Sequence, residues 1–146
     1  KASDEVRAIS RNLAPPRLEE FGLETAVRDF CEEVSSARSV KVSFKATNLS
    51  QRLLPALETT VYRITQELVN NVIKHASTDK CLVAIERKGK KLLLTVSDKG
   101  KGFNTLKPSK GLGLQNIQSR VKIHAGKVHL ISHAGRGTRV IIEFPL

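Results

Sequence analysis

Between Pro55 and Ala76 the chain reads PALETTVYRITQELVNNVIKHA, and Leu57, Val61, Ile64, Leu68 and Val72 recur at steps of three or four residues. That spacing places five aliphatic side chains on one stripe of a helix about six turns long. Pro55 suits the first helical turn, where a missing N–H costs nothing. A stripe of this length must be covered by another broad apolar surface. The rest of the sequence is therefore searched for a sheet.

It supplies one. VKVSFKA alternates with period two and sets Val40, Val42 and Phe44 on one side. KCLVAIERK and KKLLLTVS flank a Gly-Lys pair at Gly89, which signals a hairpin. KVHLISH and TRVIIEF flank AGRG, a second hairpin. Helical patterns run over Lys1–Leu13, closed by the APP of Ala14–Pro16, and over Leu23–Ala37, with Ala26, Val27, Phe30 and Val34 as the apolar face. GLGLQNIQSRVKIHAG reads as a glycine-rich turn feeding a helix, with Gly126 as its C-cap. The order is helical lead-in, strand, long helix, two strands, loop, helix, two strands. It predicts an α+β protein, a two-layer α/β sandwich in which one mixed, mostly antiparallel sheet carries its helices on one face.

The 146 residues suit one domain with an additional element, and 40% hydrophobic content supplies its core. The chain opens at Lys1 inside a helical pattern and reads as a piece of a longer protein. No apolar run approaches the roughly 18 residues of a membrane span. Cys31 and Cys81 have neither metal-site spacing nor a disulfide framework, and read as reduced, partly buried thiols. The net charge of +11 fits an anionic partner, whether nucleic acid, membrane or phosphorylated small molecule. Aromatics at 4% are too few for a base-stacking surface, so nucleic acid is not expected as a partner.

Three places can carry chemistry. On the long helix, Glu67, Asn71 and Lys74 follow i, i+4, i+7 and share a strip beside the apolar stripe, at the rim of the core. An ordinary solvated face with a charge pair would look the same. Asn71 argues otherwise, because asparagine is a poor mid-helix residue. At a cleft edge its carboxamide oxygen can hold Mg²⁺, a carboxylate one turn earlier can orient or deprotonate a hydroxyl, and a lysine one turn later can meet phosphate. Next, the strand KKLLLTVS runs into DKGKGF. Asp98, which when ionised only accepts hydrogen bonds, can read an exocyclic amine, while Gly100 and Gly102 let backbone approach a flat ligand. A simple turn shares that pattern. Finally, GLGL at Gly111–Leu114 aims free N–H groups and a helix dipole at an anion, or is a tight junction. In GRGT, Thr138 either opens a strand or reaches a ligand.

Taken in order, ELVNNVIKH, DKGKGF, GLGL and GRGT resemble the N box and the three glycine boxes of the GHKL ATPase superfamily, which includes gyrase-type topoisomerases, Hsp90, MutL and sensor histidine kinases. NNVIKHA, the short segment between Phe103 and Gly111, and GLGLQNIQSRV resemble the histidine kinases that pair with LuxR/NarL-type response regulators. EVRAISRNLAPPRLEEFGLETAVRDF resembles that group's junction between dimerisation helix and catalytic domain.

The resemblance implies the Bergerat fold. It divides the chain into the end of a dimerisation helix with its linker helix, 1–38, and an ATP-binding catalytic domain, 39–146. It implies ATP and Mg²⁺ as cofactors, with Asn71 as the Mg²⁺ ligand, Glu67 as the polar or general-base position, and Lys74 on phosphate. His75 would lie near adenine or ribose, and Asp98 would bind the adenine amino group in a pocket shaped by Gly100 and Gly102. Residues Asn104–Lys110 would form a mobile lid. Gly111, Leu112, Gly113 and Leu114 would permit lid movement and phosphate approach, and Thr138 would support the adenine side. The implied activity is that of an ATP-dependent protein histidine kinase: transfer of the γ-phosphoryl to a histidine in a dimerisation domain, for signalling to a response regulator. The implied parent is a homodimer, with this domain cytoplasmic whether or not the parent is anchored in the membrane. His75, His124, His129 and His133 lack the acceptor's sequence context, which places the acceptor upstream. The alternative is a degenerate module that binds nucleotide or a partner without kinase activity.

Overall fold

The computed structural model describes residues 15–75, 78–100 and 114–146. The elements are α1 (Pro16–Phe21), α2 (Leu23–Ala37), β1 (Lys41–Thr47), α3 (Pro55–His75), β2 (Lys80–Lys88), β3 (Lys91–Asp98), α4 (Leu114–Ile123), β4 (Lys127–His133) and β5 (Gly137–Pro145). The strands form one sheet in the order β1-β2-β3-β5-β4; β1 and β2 are parallel and every other pair is antiparallel. The expected two-layer α+β sandwich is thus the fold observed. The helical pattern expected over Lys1–Leu13 lies outside the described residues.

Alternation builds the core face of the sheet. Cys81, Val83 and Ile85 on β2, Leu92, Leu94 and Val96 on β3, and Val140, Ile142 and Phe144 on β5 are all buried. Across them lies the stripe of α3, where Leu57, Val61, Ile64, Leu68 and Val72 are buried as the periodicity requires, joined by Val69. Helix α2 covers the β1 side, placing Ala26, Val27, Cys31 and Val34 in the same core. Ser35 Oγ accepts the Val42 N–H at 2.9 Å, which satisfies a donor on the edge strand. Tyr62 on α3 meets Phe30 on α2 edge to face, with centroids 6.3 Å apart. Helix α4 seals the far end with Ile117 and Val121.

Two details depart from expectation. Pro16–Phe21 is helical, whereas the sequence marks the APP of Ala14–Pro16 only as a helix stop. Pro16 is instead the first residue of a new turn, a position it favours. This six-residue helix is fixed from a distance: Arg52 Nη2 donates to the Leu18 and Glu19 carbonyls at 3.2 and 3.1 Å, and to Glu58 Oε1 at 2.8 Å. Glu58 is only 3% exposed, so Arg52 neutralises a buried carboxylate while capping α1. The second departure is the end of α4. The left-handed residue there is Ala125, at φ 56°, not Gly126. Ala125 N–H reaches the Lys122 carbonyl at 2.9 Å and Gly126 N–H the Val121 carbonyl at 2.9 Å, the paired bonds of a Schellman cap. Gly126 is needed for closeness instead, since a Cβ there would lie 2.6 Å from the Glu143 carbonyl oxygen.

Candidate nucleotide site

Asp98 continues the buried stripe of β3. Leu92, Leu94 and Val96 point into the helix layer, and two residues later the same face carries a carboxylate. Strand register places it in one rung crossing all five strands: Val42, Cys81, Asp98, Thr138 and Ser132. The core runs out along this rung. Val42 and Cys81 are apolar, and the other three members are polar.

The rung is tightly held. Gly100 N–H turns back to Asp98 Oδ1 at 2.7 Å, so DKG is a side-chain-closed turn as well as a candidate site. Ser132 Oγ and Thr138 Oγ1 are 2.9 Å apart, and Ser132 Oγ donates to the Gly137 carbonyl at 3.2 Å. Gly137, at φ 91°, lies so close that a Cβ would come within 2.1 Å of the Asp98 carbonyl oxygen. No other residue type fits there without moving Asp98. Burial raises the Asp98 carboxyl above its ordinary value, opposed by the backbone N–H groups of Gly100 and Thr138. An acceptor-only group in a partly desolvated position, with backbone donors fixing it, suits recognition of an amine.

Helix α3 carries the second half of the site. Glu67 and Asn71 are half-buried, at the rim of the core as expected. Lys74 departs from expectation: it is exposed, as is His75, both in the last turn of α3. Glu67 is paired not with Lys74 but with Arg120 of α4, which donates through Nη1 to Oε1. The end of α3 and the turn after β3 adjoin, since Ile73 and Lys99 line one cleft of about 770 Å³ with Arg38 and Asp79. Leu114, the first residue of α4, packs on the core. Gly102, Gly111, Leu112, Gly113 and the segment Asn104–Lys110 lie outside the described residues.

Positive charge gathers at this end of the sheet. On its solvent side, Lys41, Lys80, Lys99, Arg136 and Arg139 line a depression of about 910 Å³ that reaches Asp98 and Thr138. Such a concentration attracts an anionic ligand. Among the described residues no cluster of three metal-type side chains exists, so a divalent ion would rest on a sparse set of oxygens. The Asn71 carboxamide fits that requirement for Mg²⁺, which keeps most of its waters. Sequence reading missed Gly137 and Ser132 as parts of the site and Arg120 as the partner of Glu67. Gly137 was visible in GRGT, but the other two become evident only through register and packing.

Residues 56–146 match the family model described as histidine kinase-, DNA gyrase B-, and HSP90-like ATPase. Among solved structures, a blue-light activated histidine kinase of Erythrobacter litoralis is similar with a TM-score of 0.70 at 20% identity, over 85% of this chain and 42% of that one. The histidine kinase domain of that protein is similar with a TM-score of 0.64 at 20% identity, over 83% of this chain and 59% of that one. The nucleotide-free catalytic domain of histidine kinase ThkA gives 0.66 at 21% identity, over 86% of this chain and 92% of that domain. The chain therefore spans less than two thirds of either Erythrobacter chain, and at these identities the likeness establishes the fold. With the family model covering more than half of its length, the chain belongs to the HATPase_c family of histidine kinase-, DNA gyrase B- and HSP90-like ATPases.

Proposed function

We propose that this chain is the ATP-binding catalytic domain of a sensor histidine kinase, of the type that partners LuxR/NarL-type response regulators. Residues 39–146 form the catalytic domain, and residues 1–38 form the end of a dimerisation helix and its linker helix. One observation carries the reading: the buried stripe of β3 ends in an acceptor-only carboxylate, Asp98, on a rung with Thr138 and Ser132. In this reading Asp98 accepts from the adenine amine, with Thr138 supporting it and Gly100 and Gly102 shaping the pocket. His75 borders the adenine or ribose. Asn71 holds Mg²⁺, whose charge neutralises phosphate oxygens. Lys74, exposed and long, reaches phosphate, and Glu67 orients the attacking group. Gly111, Leu112, Gly113 and Leu114 admit the phosphates beside the lid 104–110. Catalysis then rests on positioning and electrostatics.

The acceptor is a histidine of a dimerisation domain in a homodimeric parent, with this domain in the cytoplasm. Within this chain, His124 is engaged by Thr60 at 2.9 Å, and His129 lies 3.9 Å from Glu143.

Calorimetric titration with a non-hydrolysable ATP analogue, with and without Mg²⁺, tests the reading. Wild type binds, and Asn71→Ala loses the Mg²⁺ enhancement while retaining metal-free affinity. A folded wild-type chain that binds no analogue overturns the proposal. Binding without transfer to a supplied acceptor domain supports a degenerate module instead.

A further inference from the structure

Arg120 stands one helix away from the strip that carries Glu67 and Asn71, and 53 residues from Glu67 in sequence. Helix α4 begins at Leu114, directly after the segment 101–113, and Arg120 lies in its last turn. From there its guanidinium reaches across to α3 and takes Glu67 Oε1 through a single nitrogen, Nη1. Among the described residues this is the contact that holds the Glu67 side chain. Both partners remain partly open to solvent, so the pair is a poor source of stability. Its effect is geometric. A free glutamate samples many rotamers, and ordering it at the moment of reaction carries an entropic cost. One fixed contact restricts that freedom in advance and leaves the second carboxylate oxygen with lone pairs for a water or hydroxyl.

We infer that Arg120 is a positioning residue: it holds the Glu67 carboxylate in its working orientation. The inference rests on the proposed role of Glu67 beside the nucleotide. It assigns no direct contact with phosphate to Arg120, so analogue affinity is nearly indifferent to its loss and the rate of transfer is not. A misplaced reactive group typically costs tenfold to a hundredfold in rate.

The test has two parts. Arginine side-chain NMR of the chain without nucleotide shows restrained rotation of the Arg120 guanidinium in wild type and its release in Glu67→Gln; free rotation in wild type overturns the pair itself. This readout needs neither nucleotide nor activity. Transfer to the acceptor in the intact parent is then measured for Arg120→Ala, Arg120→Lys, Glu67→Gln and the double variant Arg120→Ala/Glu67→Gln. The expected result is a fall of roughly tenfold to a hundredfold in kcat for Arg120→Ala, with KM for ATP changed less than about threefold. Partial recovery is expected in Arg120→Lys, and no further loss when Arg120→Ala is added to Glu67→Gln. Multiplying effects in the double variant, or a loss of affinity for the ATP analogue but not for ADP, would place Arg120 on the phosphate and overturn the inference. If wild type restrains Arg120 yet binds no analogue, the kinase reading fails while the pair stands.

Discussion

Asp98 sits where a buried strand stripe runs out, and its burial raises the carboxyl above the ordinary range. The folded chain therefore binds that proton more tightly than the unfolded chain does. Its contribution to stability is present below the unfolded value and is lost as pH rises through the raised folded value. At neutral pH the ionised group is thus a net cost to folding, which the proposed contact with adenine would account for. Asp98→Asn is expected to match or exceed wild type in thermal midpoint at pH 7, to lose that advantage as pH falls through the carboxylate range, and to bind no ATP analogue. A midpoint several degrees below wild type at pH 7 would mean that the carboxylate is mainly a structural fastener. At the two cysteines burial is the leading cause: it pushes both thiols up to about 12, with Arg28 opposing it at Cys31 and Asp98 adding to it at Cys81, as expected of inert core residues. At this scale the sequence was informative where a residue contradicted its setting. A mid-helix asparagine and a carboxylate closing a β-run are such contradictions. Arg120 contradicted nothing on an exposed helix face, and so its partnership was not legible.

Elements were legible in proportion to how far local chemistry determines them. The strands of both hairpins and the long helix were readable within a residue or two, because period-two and period-3.6 burial are written in the residues themselves. The end of α4 was not. Glycine at 126 invited the usual reading of a left-handed cap, yet tertiary packing against Glu143 and Phe144 requires the glycine and pushes the left-handed conformation onto Ala125. An alanine at φ 56° is strained where glycine is not. Ala125→Gly is accordingly expected to stabilise the chain by about 0.5–1 kcal/mol, read as a higher denaturant midpoint at unchanged slope. A lower midpoint would show that unfolded-chain entropy outweighs the relief of strain.

At the scale of the molecule, the α1–α2 lead-in is attached to the ATP-binding fold by a polar clamp as well as by apolar packing. Arg52 reads two carbonyls of α1 and neutralises Glu58 at the start of α3. None of this was visible in sequence, since the partners stand 34 and 6 residues away and the six-residue α1 is too short for periodicity to register. Arg52→Ala leaves Glu58 buried without its cationic partner, with only the Leu53 N–H, among the described residues, donating to it. It is expected to lower the thermal midpoint and to open the segment around Gly22 to limited proteolysis. Adding Glu58→Gln should recover part of the midpoint but not the protection of α1. Equal protease resistance in Arg52→Ala and wild type would show that apolar contacts alone hold the lead-in.

The edge-to-face pair of Phe30 and Tyr62 gives this lead-in an optical signature. Tyr62 is the sole tyrosine and the chain has no tryptophan, so its ultraviolet emission comes from one ring wedged between α2 and α3. That ring lies on the helical layer, toward the start of α3, whereas Asn71 and Asp98 mark the far end of α3 and the end of β3. Undocking of α2 would expose the ring and change its emission, while a ligand arriving at Asp98 would leave it almost untouched. The unlabelled protein is in this way a fluorescence reporter of how α2 sits on α3, and is blind to events at the other end of the sheet.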